Sequence, residues 1–171
     1  TLSIGVVDKD GKVNSIVTID GSQLTGKSVN FNLKITVDAK DNKVERVADR
    51  AGIKDSSYTI VDFEYSGNLP GTLKAAVNVS KKFADGTRVA LYYYNSKKGV
   101  LENQYQIATV SNGFAEFAID HCSEYVLVDV SAAEGTITTS ALGSPKTADS
   151  NAIIFWLMLM CAAVLVLFGI Q

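Results

Sequence analysis

Residues 72–79 read Thr-Leu-Lys-Ala-Ala-Val-Asn-Val, and this stretch decides the fold class. Every second residue is a core-forming apolar one: Leu73, Ala75, Val77 and Val79. Successive side chains of a β-strand point to opposite faces, so this period predicts a strand with one buried face. Half-buried strands of this kind are typical of antiparallel sheets.

The same period occurs in residues 29–37, where we predict another strand. Its apolar face would consist of Val29, Phe31, Leu33, Ile35 and Val37. Most of the other predicted strands are bounded by turn signals such as Asp-Gly or Asn-Gly, and Pro70 falls in a predicted turn at residues 67–71. These strands are Leu2–Val7, Val13–Ile19 and residues 58–65, 87–94, 100–110, 114–119 and 125–130.

One segment breaks the alternation and predicts a short helix. Asp41 or Asn42 would cap a helix over residues 43–51, which Gly52 would end. Its inward face would carry Val44, Val47 and Ala51. We therefore expect residues 1–130 to form an all-β domain, an antiparallel β-sandwich with at most one short helix.

Composition excludes several functional classes. The chain has 171 residues and a net charge of −2 with the signs interspersed, so no basic surface for nucleic acid is predicted. No phosphate-binding glycine loop occurs, and we expect no cofactor and no bound metal. The two cysteines, Cys122 and Cys161, cannot form a disulfide framework. The sequence begins at Thr1 without an apolar leader. An exported protein would therefore carry its signal peptide upstream, and we expect this sequence to be a piece of a longer chain.

Residues 131–171 have a different composition from the rest of the chain. Residues 131–143 are rich in Ser, Thr, Ala and Gly without periodicity, which predicts a flexible tether. Residues 152–170 contain no charged side chain. As a helix this run would span roughly 28 Å, close to the thickness of the hydrocarbon core of a bilayer. We therefore predict a C-terminal transmembrane helix.

A short motif lies between the tether and this apolar run. It reads Ser144-Pro145-Lys146-Thr147-Ala148-Asp149. The motif resembles the Leu-Pro-x-Thr-Gly signal that bacterial sortases recognise, in the Ser/Asn-Pro-Lys-Thr-Gly/Ala-Asp form of clostridial surface proteins. The resemblance implies that a sortase cysteine attacks the Thr147 carbonyl and that an amine of the peptidoglycan precursor then takes over the chain. The protein would be held transiently in the membrane and then anchored covalently to the wall at the cell surface.

Three features depart from the usual signal. Ser144 replaces Leu, Ala148 replaces Gly, and only Gln171 follows the apolar run where Lys or Arg normally stands. Either a basic tail follows beyond Gln171 or the anchor is of another kind. A retained single-pass anchor is one alternative. A glycosylphosphatidylinositol signal with its acceptor site at residues 141–143 is another.

A second resemblance concerns residues 43–130. The segments at residues 67–71, 91–95, 113–117 and 121–127 resemble a recurrent β-module that precedes the wall anchor in large surface proteins of gut Firmicutes. The resemblance implies a spacer or display role without catalytic residues, so we expect no enzymatic activity.

Few side chains of the domain suggest chemistry of their own. His121 and Cys122 are adjacent and would point to opposite faces of a strand, so we do not expect them to act together in catalysis. We interpret their segment as a turn that enters the last strand. Asp8 and Asp10 resemble the start of a calcium loop, but a hairpin turn explains them better. Lys34 is a conceivable partner for an intramolecular isopeptide bond.

Tyr92 and Tyr94 offer a competing function. They share one face of a predicted strand, and an exposed pair could stack on sugar rings. The protein would then be a surface-anchored adhesin or carbohydrate-binding module, with host or plant glycans as partners. Packing of the same face into the core is the commoner arrangement.

Overall fold

The structure, a computed structural model, describes residues 1–25, 30 and 32–133. Seven strands account for most of this part of the chain, and helix α1 is its longest helix. Two 3₁₀ turns lie at Gly21–Gln23 and Asp55–Ser57. The strands are β1 Leu2–Val7, β2 Val13–Ile19, β3 Ile35–Val37, β4 Tyr58–Asn78, β5 Arg88–Asn95, β6 Val100–Thr109 and β7 Phe114–Asp129; the helices are α1 Asn42–Arg50 and α2 Val130–Ala133.

All strand pairs are antiparallel, and they form one connected sheet in the order β1-β2-β4-β7-β5-β6. β3 pairs with the first part of β4, while β2 pairs with its last part. The predicted antiparallel all-β class is confirmed. The single turn α2 includes Val130 and the first residues of the predicted tether, and the rest of the tether lies outside the described residues.

β4 and β7 are longer than predicted, and this corrects two predicted turns. Residues 67–71 lie inside β4, and residues 120–124 lie inside β7. The register between the two strands shifts between Asp62 and Gly67 and again between Asn68 and Leu73. Irregularities of this kind bend a strand without ending it. Pro70 lacks an N–H, but its carbonyl still accepts a hydrogen bond from the backbone of Thr25 at 2.7 Å.

β3 is shorter than predicted. Only Ile35–Val37 is strand, residues 32–34 are irregular, and Val29 and Phe31 lie outside the described residues. The Asn32 side chain accepts a hydrogen bond from the Lys34 backbone at 2.9 Å. Side-chain bonds of this local kind compete with strand pairing, so the apolar period alone did not produce a long strand.

Two apolar clusters lie on opposite faces of the sheet. The larger one, here called the main core, contains Val17, Val61, Phe63, Leu73, Leu91, Phe117, Tyr125 and Leu127, among others. The second, here called the helix core, lies beneath α1. It contains Val44, Val47, Ala48, Tyr58, Ile60, Tyr92, Tyr94, Leu101, Val126 and Val128, among others.

Helix α1 confirms the predicted helix within one residue at each end. Asp41 is the N-cap, and its carboxylate accepts hydrogen bonds from the backbone of Lys43 at 2.6 Å and Val44 at 3.1 Å. Gly52 follows the C-cap with a φ of 73°, which is the conformation that ends many helices. Ala48 is buried beside the three predicted inward residues.

Candidate functional site

The predicted sorting motif, Ser144, Pro145, Lys146, Thr147 and Ala148, lies outside the described residues, as does the apolar run at residues 152–170. Within the part of the chain that the structure describes, no helix has the length and hydropathy of a membrane span.

The predicted sugar-stacking pair is buried. Tyr92 and Tyr94 are 3% and 5% exposed and belong to the helix core, and burial raises the pKa of Tyr92. They do share one face of β5, as the alternation predicted. That face is covered by α1, however, so neither ring is available to a glycan. Tyr93 points to the other face, where it packs partly buried against the main core.

Tyr93 belongs to an aromatic group that also contains His121 and Tyr125. The Tyr93 and His121 rings meet edge to face with centroids 4.9 Å apart. The Tyr125 hydroxyl donates to the His121 carbonyl at 2.8 Å. A hydrogen bond from the His121 Nδ1, 2.8 Å from a carboxylate oxygen of Asp120, holds the pKa of that carboxyl below its usual value. A cavity of about 240 Å³ adjoins this group.

Cys122 follows His121 in β7 and belongs to the main core. It is 3% exposed within the main core, and burial raises the pKa of its thiol to about 11. A thiol rather than a thiolate is therefore present at neutral pH, and the thiol is a poor nucleophile. Both His121 and Cys122 lie inside β7 rather than in the predicted turn.

The Asp8 loop is the predicted hairpin turn between β1 and β2. One oxygen of the Asp8 carboxylate accepts from the backbone of Asp10 at 2.9 Å and of Lys12 at 3.0 Å, and Gly11 has a φ of 75°. These bonds, the one from Lys12 first, lower the pKa of Asp8. Lys34 forms an ion pair with Glu64, with 3.1 Å between the charged atoms, on an exposed surface.

Sequence reasoning missed a cluster of three carboxyl groups. Asp62 and Glu124 are directly opposite each other in the β4–β7 register, and Asp41 caps the nearby helix α1. Burial, the charge of Asp41 and a hydrogen bond to it raise the pKa of Glu124 to about 7, with a further contribution from Asp62. Burial likewise raises the pKa of Asp62. The three residues are distant in sequence, and only strand register brings them together.

Comparison with protein-family models, with curated proteins and with solved structures gives no match for this chain.

Proposed function

We propose that this chain anchors a bacterial surface protein to the cell wall as the substrate of a sortase. The observation that carries the proposal is the order of its last segments: a Ser-Pro-Lys-Thr-Ala motif at residues 144–148, then an uncharged run at residues 152–170. Pro145 restricts φ and disfavours helix at Ser144, which favours an extended peptide that an enzyme groove can bind. The apolar run would hold the chain in the membrane until cleavage.

The proposed reaction has two steps. The sortase thiolate attacks the Thr147 carbonyl, the bond to Ala148 breaks, and the released amine takes a proton. The amine of the peptidoglycan precursor then attacks the thioester and frees the enzyme thiol. Residues 1–130 would serve as a membrane-proximal spacer, a β-sandwich joined to the wall through the tether at residues 131–143.

The test is transpeptidation of the full chain in detergent micelles by purified clostridial sortases, with a peptidoglycan stem peptide as the amine. We expect a product that ends at Thr147 linked to this amine, and a released peptide that begins at Ala148. Thr147→Ala should abolish the product, while Thr139→Ala, a threonine of the tether, should not change its yield.

Mass spectrometry of wall digests from an expressing Gram-positive host gives the second readout. Wall-linked peptides that end at Thr147 would support the proposal. Recovery of an intact Thr147–Ala148 bond alone, with the chain in the membrane fraction, would contradict it in favour of a retained anchor. A lipid-linked chain that ends within residues 141–143 would indicate the glycosylphosphatidylinositol alternative.

A further inference from the structure

A cavity of about 270 Å³ opens where four segments of the chain meet. These are the turn between β1 and β2, the end of β3, the start of β4 and the loop that follows β4. Sites for drug-sized ligands measure about 300–1,000 Å³. The cavity is slightly smaller and therefore fits a ligand about the size of a single ring.

One residue of the cavity lining carries a buried hydroxyl that has no partner among the described residues. Thr59 is 2% exposed and lines the cavity, and its hydroxyl makes no hydrogen bond within the described part of the chain. In the alternation of β4 it shares a face with Val61, a residue of the main core. Burying a hydroxyl without a hydrogen bond is unfavourable, and such groups in native proteins usually have a partner. A ligand hydroxyl in the cavity would supply one.

The walls of the cavity are held in place by hydrogen bonds. Asn14 donates from its amide to the Ile35 carbonyl at 2.7 Å, which ties β2 to β3. The Asn78 amide oxygen accepts from the backbone of Ser80 at 3.1 Å and from its hydroxyl at 2.7 Å, which orders the loop after β4. A site whose walls are already ordered loses less entropy when a ligand binds.

The lining of the cavity carries both signs of charge. It includes the acidic residues Asp8 and Asp38 and the basic residues Lys12 and Lys81. A fifth charged residue, Lys82, pairs with Asp55 at 3.8 Å. An anion would meet the two carboxylates and a cation would meet the ammonium groups, so neither is favoured. Among the described residues, no group of three His, Cys, Asp or Glu side chains is arranged so that it could hold a metal ion either.

The apolar part of the lining restricts what can reach Thr59. Val37 and Val79 line the same cavity, and Val79 is almost fully buried. A charged group would lose its hydration there, whereas an uncharged hydroxyl would lose much less and could pair with Thr59. The remaining hydroxyls of the same ligand can donate to the carboxylates and accept from the lysines, since a hydroxyl does both.

We infer that this cavity binds a neutral polyhydroxylated ligand, a single sugar ring, with one ring hydroxyl on the Thr59 side chain. The inference does not depend on the wall-anchoring proposal. Tyr92 and Tyr94, the glycan contacts predicted from the sequence, are buried in the helix core. The site inferred here lies instead on the opposite face of the sheet, at Thr59 of β4. Because no aromatic residue occurs among the described residues of the lining, recognition there rests on hydrogen bonds, and we expect a Kd on the order of 1 mM.

The experiment is an NMR titration of the ¹⁵N-labelled full chain in micelles of a detergent that contains no sugar. The probes are the methyl glycosides of glucose, galactose and N-acetylglucosamine, up to about 100 mM, which would also detect Kd values well above 1 mM. Binding should shift the amide signals of Thr59, Asp38 and Ser80 in a saturable manner. Inorganic phosphate, calcium and glycine are the charged comparison ligands.

Thr59→Val keeps the shape of the side chain and removes its hydroxyl, so it should weaken sugar binding at least tenfold. The matched control is Ser15→Ala, because Ser15 carries the other buried hydroxyl without a partner among the described residues but does not line the cavity. It should leave binding unchanged. Asp38→Asn, at the mouth, is a second variant that tests the site if Thr59→Val does not fold.

Saturable shifts at these amides, weakened by Thr59→Val or Asp38→Asn and not by Ser15→Ala, would support the site. Three results would overturn it. The first is the absence of a saturable shift with any of the three glycosides, as expected if water alone fills the cavity. The second is tighter binding of phosphate, calcium or glycine, and the third is equal weakening by Ser15→Ala.

Discussion

The side-chain amide of Gln106 makes both hydrogen bonds that a neighbouring strand would make to Ala118. Its Nε2 donates to the Ala118 carbonyl at 2.7 Å, and its Oε1 accepts from the Ala118 N–H at 2.9 Å. Tyr105, just before it in β6, has a φ of 56°, and the register of β5 with β6 is interrupted at this level. Because of this irregularity, the Gln106 side chain points towards β7. There it covers part of a strand edge that would otherwise be unpaired.

Gln106→Ala should lower the free energy of unfolding by about 1–2 kcal/mol, because two hydrogen bonds to the backbone are lost. Gln106→Glu should cost at least as much, since a carboxylate then faces the Ala118 carbonyl. Gln104→Ala is the control, because among the described residues the Gln104 amide bonds only to the nearby Glu102 carbonyl. Urea denaturation of the full chain in micelles measures all three. Equal urea midpoints for Gln106→Ala and the control would contradict the proposal that the Gln106 hydrogen bonds stabilise the fold.

Glu124 should make stability fall as pH rises from about 4.5 to about 7. The pKa of Glu124 is raised in the folded protein from 4.5 to about 7, so the folded state binds more protons than the unfolded state in this window. Glu124→Gln should remove this slope and stabilise the protein above pH 7 by about 1–2 kcal/mol, since partial exposure screens the effect. Stability curves against pH test this.

The control for Glu124 is Glu116→Gln, an exposed carboxylate on the same strand. It should leave the slope between pH 4.5 and pH 7 unchanged. Asp41→Asn keeps a capping side chain but removes the charge beside Glu124, so it should reduce the slope. An unaltered slope in Glu124→Gln would show that another group titrates there.

Gly71→Ala should destabilise the protein by about 1–3 kcal/mol. A Cβ at this position of β4 would collide with the carbonyl oxygen of Gln23, a backbone atom that cannot rotate away. Gly5→Ala is the matched control, because a Cβ at Gly5 meets no atom within 4 Å. It should be neutral or stabilising by up to about 0.5 kcal/mol. Thermal unfolding of the two variants should separate them, and similar melting temperatures would contradict the close approach.

Cys122 should react with iodoacetamide only when the domain unfolds. Burial in the main core blocks access, and the raised pKa of about 11 leaves little thiolate at neutral pH. The measurement uses Cys161→Ser, so that Cys122 is the one remaining thiol. Labelling should be slow in buffer and rapid in concentrated urea, and rapid labelling of the folded protein would contradict this placement.

Local sequence signals were sufficient where the structure is local. β1 and β2 have the predicted bounds because an Asp-Gly turn joins two short apolar strands, and the turn stabilises itself through the Asp8 carboxylate. Helix α1 begins after its N-cap Asp41 and ends before Gly52 for the same reason. The proposed sorting motif at residues 144–148 is also read from local sequence, but it lies outside the described residues and stays a prediction.

Tertiary structure decided what depends on partners distant in the chain. Residues 67–71 and 120–124 carry turn signals, yet each continues a strand because β4 and β7 pair through their irregular regions. The alternation placed Tyr92 and Tyr94 together, but only the packing of α1 determined that their face is buried. The carboxyl cluster around Glu124 and the cavity at Thr59 also arise from long-range pairing. The sequence alone determined the β1–β2 turn, the caps of α1 and the periodicities of the strands, because contacts between neighbouring residues stabilise them. The buried faces and the sites depend on contacts that only the folded chain makes.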